Sequence, residues 1–124
     1  MSHRHPSALI IEDHRDVREL VALWLELDGY AVETTPNGRA ALSKLHGGFT
    51  PCVIVMDLNT PVMDAAEFRQ EQLRHAGMNR IPVIVYSGAA DVSERARDLH
   101  VAAHAEKPLS MHHVAALVRQ HCLK

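Results

Sequence analysis

Short apolar runs alternate with longer amphipathic segments along the whole chain. The runs have the length and composition of β-strands. ALII and VIV are apolar at every position, which is typical of strands buried on both faces of a parallel sheet. The second and fifth runs are more polar, so we place those two strands nearer the edges. The predicted strands are 8–12 (ALIIE), 31–35 (AVETT), 52–56 (CVIVM), 82–87 (PVIVYS) and 101–106 (VAAHAE).

The segments between the strands have the periodicity of amphipathic helices. The apolar face of the first helix consists of Val17, Leu20, Val21 and Trp24. Gly29 is placed to end this helix, and the stripe makes Trp24 a core residue rather than a ligand platform. The other helices are predicted over about 38–46, 65–76, 90–99 and from residue 111, with Ser110 as N-cap of the last.

Alternating strands and helices predict an α/β fold, a parallel sheet with helices on both faces. The 124 residues suffice for one domain with its own core. No repeat, low-complexity tract or linker is visible. We therefore expect a short tail at residues 1–7 and one domain over residues 8–124, without a second, output domain.

The composition is that of an ordinary globular domain, with 47% hydrophobic residues and a formal net charge of −2. No basic stripe indicates a nucleic acid or an anionic membrane as partner. The apolar runs are too short to span a bilayer, and the N-terminus does not resemble a signal peptide. We therefore expect a cytoplasmic protein, a monomer or weak dimer, that binds neither nucleic acid nor membrane.

The chain has two cysteines and ten histidines. Without a CxxC motif or a larger cysteine set, Cys52 and Cys122 are interpreted as two small buried hydrophobic residues, not as a disulfide. The histidines are scattered and form no zinc motif, so a dedicated zinc site is not expected.

Polar side chains follow most of the predicted strands. The strand-end groups are Glu12-Asp13, Asp57, Ser87-Gly88 and Glu106-Lys107-Pro108. The carboxyl ends of parallel strands lie on one edge of a sheet, where ligands bind. Three carboxylates, a hydroxyl and an ammonium group are therefore expected to converge on one pocket.

This set of groups indicates phosphoryl chemistry. Clustered carboxylates repel one another unless a cation lies among them, and oxygen ligands suit Mg²⁺. A lysine and a hydroxyl add what a phosphoryl group needs, and an aspartate can accept it as an acyl phosphate. Taken singly, each residue has a simpler explanation: a favourable charge at a helix start, a turn former, an N-cap or a surface lysine. Their convergence favours the functional interpretation.

Four motifs resemble the receiver domain of two-component response regulators, the CheY-like superfamily. They are LIIED, VIVMDLNTPVMD, VIVYSG and EKP, and the resemblance extends from Ala8 to about Cys122. It implies the flavodoxin-like (βα)5 fold, a three-layer sandwich with sheet order 2-1-3-4-5.

The resemblance also implies the roles of individual residues. Asp57 would accept a phosphoryl group from the phosphohistidine of a sensor histidine kinase, or exchange it with a histidine phosphotransferase. Ser87 and Lys107 would contact the phosphoryl group, and the Lys107–Pro108 bond is a candidate cis peptide. Mg²⁺ would be held by Glu12, Asp13, Asp57 and the backbone carbonyl of Asn59. Water access, and so the acyl-phosphate lifetime, would depend on Asn59, Gly88 and Ala89.

Several positions depart from the common family pattern. The acidic pair is Glu-Asp rather than Asp-Asp, and Ser87 replaces the frequent Thr. Ala65 stands where Gly usually follows Met-Asp, so either Ala65 tolerates a positive φ or the loop bends elsewhere. His100 replaces a Gly at the end of the fourth helix and can enter the left-handed region. His104 stands where an aromatic switch residue is common. A switching role, with pH sensitivity, and an ordinary edge-strand position both remain open.

The resemblance places two partner surfaces on the chain. Output to a protein partner would use the face made by the fourth helix, fifth strand and fifth helix. Its residues are Val92, Arg95, Leu99, His104, His112 and His113. Kinase docking would use His14, Arg15, Arg18 and the loop at Pro108-Leu109.

Other classes of protein remain as alternatives. A haloacid-dehalogenase-like phosphatase also uses a strand-end Asp with Mg²⁺, but its second Asp is replaced here by Asn59. The chain could be a receiver excised from a hybrid kinase or transcription factor, or a receiver that signals without phosphate. We expect a stand-alone phosphorylatable receiver.

Overall fold

A computed structural model describes residues 6–88, 90–106 and 110–122. Five strands alternate with five helices in these ranges. The strands are β1 (Ser7–Ile11), β2 (Ala31–Thr35), β3 (Val53–Asp57), β4 (Val83–Ser87) and β5 (Ala103–Glu106). The helices are α1 (Arg15–Leu27), α2 (Gly38–His46), α3 (Ala65–Leu73), α4 (Val92–Leu99) and α5 (Met111–His121). No helix of the described ranges is long and apolar enough to cross a bilayer.

All five strands are parallel and their order is β2-β1-β3-β4-β5. This arrangement confirms the predicted flavodoxin-like fold and the predicted edge positions of the two more polar strands. β3 and β4 are buried at every residue, whereas β2 and β5 are largely exposed. The continuous apolar runs therefore mark the strands that are covered on both faces.

Two apolar layers lie on opposite faces of the sheet because successive strand residues point to opposite sides. Leu9 and Ile11 of β1 pack with helices α2, α3 and α4, whereas Ala8 and Ile10 pack with α1 and α5. The two layers give the three-layer sandwich.

The predicted apolar stripe of α1 is partly wrong. Leu20 is 46% exposed, whereas Leu25 is fully buried. Trp24 is half-buried, packs against the α1–α5 layer, and meets the His112 ring edge-on at 4.9 Å. The buried face therefore runs from Val17 through Val21 to Leu25, at positions i, i+4 and i+8. The predicted stripe ended at Trp24 and so did not include Leu25.

The structure shows which backbone conformations are adopted in the loop before Ala65 and at His100, which the sequence left open. Ala65 is the buried first residue of α3, and the positive φ of the preceding loop falls on Val62 at 68°. The loop therefore bends three residues earlier than the family pattern suggests. His100 ends α4 in the left-handed region with φ 55°, as predicted.

The expectation that the two cysteines are unpaired is wrong. Cys52 and Cys122 form a disulfide, with their Cα atoms 4.9 Å apart and a separation of 70 positions in sequence. Cys52 directly precedes β3, and Cys122 caps the C-terminal end of α5. In a parallel α/β fold helices run antiparallel to the strands, so the end of a helix lies beside the start of a strand. Sequence spacing alone does not reveal this proximity.

Candidate functional site

An acidic cluster lies at the carboxyl edge of the central strands. Glu12 and Asp13 follow β1, and Asp57 is the last residue of β3. Ligand atoms of Glu12, Asp13, His14 and Asp57 all lie within 4.8 Å of one another. Glu12 is fully buried and Asp57 is 5% exposed, so these two charges are held out of bulk water. The structure therefore brings the three predicted carboxylates together and adds an imidazole.

Hydrogen bonds fix the Glu12 carboxylate on both oxygens. The Tyr86 hydroxyl donates to Oε1 at 2.6 Å, and the backbone N–H of His14 donates to Oε2 at 3.0 Å. The His14 ring places Nδ1 3.2 Å from Oε2. Arg18 donates to the backbone carbonyl of Glu12 at 2.9 Å, which ties α1 to this loop. The position of the Glu12 carboxylate is thus set by the surrounding chain.

Tyr86 is a residue of the site that the sequence pattern did not reveal. Burial raises the pKa of Tyr86, and the hydrogen bond to Glu12 and nearby carboxylates raise it further. The hydroxyl therefore stays protonated and acts as a constant donor. Tyr86 lies beside Asp57 in the β3–β4 register. The signal available in the sequence was a single aromatic residue in the otherwise aliphatic run VIVYS, one position before Ser87.

A second group of contacts surrounds Asp57 on the α4 side. The backbone N–H of Asn59 donates to Oδ1 of Asp57 at 3.0 Å. The Asn59 side-chain amide donates to the Ser87 hydroxyl oxygen at 3.4 Å. Nη1 of Arg95 donates to Asn59 Oδ1 at 3.0 Å. Asp57, Asn59 and Ser87 thus lie together at the ends of β3 and β4, and Arg95 reaches this group from α4.

The acidic cluster fits a hard divalent cation. Its carboxylates supply the oxygen ligands that Mg²⁺ prefers, and Mg²⁺ keeps part of its water shell, so a complete protein cage is not needed. Asp13 is exposed and opens the cluster to solvent, whereas Glu12 and Asp57 are buried. Glu12, Asp13 and Asp57 are the residues that would hold the ion.

Other predicted residues lie at different places. Lys107, Pro108, Leu109 and Ala89 fall outside the described residues, and with them the candidate cis peptide. Gly88 is exposed directly after β4. His104 is exposed on β5, beside a groove that Ser93, Arg97 and Val101 also line.

The residues predicted to form the two partner surfaces differ in their exposure. Arg15 forms an exposed pair with Glu19 at 3.0 Å. Leu99 is half-buried and packs against the core beneath α4. Val92 is fully buried, so it lies under the predicted output face rather than on it. His112 and His113 are exposed at the start of α5.

With fold and site established, comparison with known proteins identifies the family. The sequence model of the response regulator receiver domain matches residues 8–119, so this chain belongs to that family. Response regulators are phosphorylated by histidine kinases and act on downstream partners. Their receiver domains bind Mg²⁺ in an acidic pocket and are generally not catalytic enzymes.

The chain is also similar to individual response regulators in sequence and in structure. The chain is 34% identical over 113 residues to response regulator MprA of Mycolicibacterium vanbaalenii, covering 90% of this chain and 48% of MprA. It thus spans about half the length of the curated relatives it matches. The chemotaxis response regulator CheY4 of Vibrio cholerae shares the fold, with TM-score 0.86 and 23% identity over 94% of this chain and 98% of CheY4. The phosphorylated cyanobacterial phytochrome response regulator RcpA has TM-score 0.78 and 25% identity over 94% and 91% of the two chains.

Proposed function

We propose that this protein is a Mg²⁺-dependent phosphoacceptor in which Asp57 receives a phosphoryl group from a histidine kinase or a histidine phosphotransferase. The observation that carries the proposal is the position of Asp57. Its carboxylate ends a buried strand, lies within the acidic cluster, and accepts a hydrogen bond from the backbone of Asn59. A rigid element therefore presents the nucleophile beside a cation site.

The transfer is a substitution at phosphorus. A carboxylate oxygen of Asp57 forms a bond to phosphorus while the bond between phosphorus and the donor imidazole nitrogen breaks, and that nitrogen keeps the electron pair. A Mg²⁺ ion bound by Glu12, Asp13 and Asp57 would supply neutralisation of phosphoryl charge. The buried Ser87 hydroxyl, 3.4 Å from the Asn59 amide, is proposed to donate to a phosphoryl oxygen. Lys107 is proposed as the opposing cation on the strength of the EKP motif.

The output of this receiver is proposed to be a protein contact through α4, β5 and α5, in a cytoplasmic setting. His104 lies exposed on that face, beside the groove against α4. Every group assigned a role in phosphotransfer lies within residues 8–119. The proposed chemistry is therefore the same for a separate receiver and for one joined to an output domain.

Phosphorylation by a small donor tests the proposal directly. The protein is incubated with Mg²⁺ and acetyl phosphate and its intact mass is measured, with Asp57→Asn as control. We expect one added phosphoryl group that is absent in the variant and in the presence of EDTA. No adduct, together with no binding of beryllofluoride, would contradict the proposal. Steady release of phosphate from simple monoesters would instead indicate a hydrolase.

A further inference from the structure

A chain of side-chain hydrogen bonds connects α4 to the phosphoacceptor. Arg95 donates to Asn59 Oδ1 at 3.0 Å, and the amide nitrogen of Asn59 lies 3.4 Å from the Ser87 hydroxyl. Asn59 also donates its backbone N–H to Asp57. Arg95 is half-buried, unlike its exposed neighbour Arg97 on the same helix. Arg95 therefore does not belong to the freely exposed part of the α4 surface.

The chemistry of these groups fixes the orientation of the Asn59 amide. A guanidinium has only donors, so the amide must direct its oxygen toward Arg95 and its nitrogen toward Ser87. If the Ser87 hydroxyl is recruited by a phosphoryl group, the contact to Arg95 remains to hold the amide. The Asn59 oxygen then stays occupied by a charge-assisted hydrogen bond.

Occupation of that oxygen matters for hydrolysis of the acyl phosphate. In hydrolysis a water oxygen bonds to phosphorus, the bond from phosphorus to the Asp57 carboxylate breaks, and the carboxylate leaves with the electron pair. The water gives its proton to solvent or to the released phosphate. An acceptor that orients the attacking water accelerates such a step, as a glutamine does in GTPases. The Asn59 side-chain oxygen, two residues from Asp57, is a suitable acceptor once it is released.

We propose that Arg95 is a positioning residue that occupies the Asn59 carbonyl oxygen and thereby lengthens the lifetime of the phosphorylated state. This inference rests on the proposed phosphoacceptor function and assigns a regulator of that same site. It also gives Arg95 a role that differs from partner docking.

The test is the first-order decay of the phosphorylated protein, followed by intact mass after acetyl phosphate is removed. Arg95→Ala should shorten the half-life about three- to tenfold, the scale of one lost hydrogen bond at a partly exposed site. Arg97→Ala is the matched control, because it removes an exposed arginine from the same helix, and its half-life should equal that of the unsubstituted protein. The melting temperatures of both variants show that the domain is folded.

A double-mutant cycle separates action through Asn59 from a direct effect of the arginine charge. In an Asn59→Ala background, Arg95→Ala should change the half-life little, because the group that it positions is gone. An equal effect in both backgrounds, or an unchanged or longer half-life in the single variant, would overturn the inference while leaving the proposed function intact. Failure of the unsubstituted protein to form any adduct would overturn both.

Discussion

At the scale of single residues, the site depends on how the Glu12 carboxylate is held. A buried carboxylate needs hydrogen-bond donors to compensate for lost hydration. The structure supplies them from Tyr86 and from the backbone of His14. Burial, the hydrogen bond to Glu12 and the adjacent carboxylates raise the pKa of Tyr86, so its hydroxyl stays protonated. Tyr86 therefore orients one oxygen of Glu12 as a hydrogen-bond donor.

Removing that hydroxyl should weaken the cation site. We expect Tyr86→Phe to lower Mg²⁺ affinity about tenfold, the usual effect of losing a group that orients a metal ligand. The free energy of unfolding should fall by about 1.5–3 kcal/mol, because the variant removes a buried hydrogen bond to a charged group. Mg²⁺ titration by calorimetry measures the first effect, and urea denaturation measures the second.

Tyr30→Phe is the matched control for this prediction. Tyr30 is half-buried near Asp28 and Arg119, remote from the acidic cluster, and burial also raises its pKa. Its variant should bind Mg²⁺ like the unsubstituted protein. Equal Mg²⁺ affinity in both tyrosine variants would mean that Tyr86 does not orient Glu12.

The sequence predicted the carboxylates and the hydroxyl but not their supporting side chains. Glu12, Asp57 and Ser87 stand at strand ends, and topology alone brings strand ends together. Tyr86 and Arg95 act across 74 and 36 residues of sequence, through the reach and direction of single side chains. Such contacts depend on rotamers and on strand register, which a hydrophobic pattern does not specify.

At the scale of elements, α3 holds the end of α4 in place. Arg69 donates to the carbonyl oxygens of Leu99 at 3.0 Å and His100 at 2.9 Å. These carbonyls belong to the C-terminal end of α4, where a positive charge also complements the helix dipole. Arg69 is itself fixed by Gln72, whose buried amide donates to the carbonyls of Met78 and Ile81. The two side chains thus link α3, the loop that follows it and α4.

The same contacts explain why the predicted end of α3 was too late. The sequence pattern extends the helix to Ala76, but the structure ends it at Leu73. The buried Gln72 amide draws the carbonyls of the following turn inward, and so the chain turns before β4. A helical periodicity count treats a glutamine as a surface residue and does not detect this tertiary contact.

Loss of the Arg69 contacts should destabilise the domain. We expect Arg69→Ala to lower the free energy of unfolding by about 1–3 kcal/mol, because partly buried helix-end carbonyls lose their donor. Arg74→Ala, at the C-cap of α3, is the control. It removes an exposed i,i+3 pair with Glu71, and such a pair contributes about 0.5 kcal/mol or less. Urea denaturation of both variants measures the difference, and similar losses would argue against the proposed role of Arg69.

At the scale of the whole molecule, the architecture could be predicted from the sequence because strand and helix patterns alternate repeatedly along the chain. Each strand and helix was recognised from its own periodicity, and parallel topology with short connections then restricted the order of strands. The Cys52–Cys122 disulfide could not be predicted from such local patterns, since it joins the start of β3 to the end of α5. It closes most of the second half of the chain into one covalent loop at the amino-terminal end of β3, opposite the carboxyl edge that carries the site.

This disulfide should separate stability from phosphorylation chemistry. Cross-linking residues 70 apart restricts the unfolded chain and is expected to contribute about 3–4 kcal/mol to the free energy of unfolding. Reduction, or the Cys52→Ser/Cys122→Ser double variant, should lower the urea midpoint accordingly, and reductant should have no further effect on that variant. Phosphorylation of Asp57 at temperatures well below melting should be unchanged, because the bond lies at the opposite end of the sheet.

A thiol assay of the denatured, unreduced protein that finds two free thiols would contradict the pairing. A loss of phosphorylation in the folded double variant would instead show that the two ends of the sheet are coupled through β3 and α5.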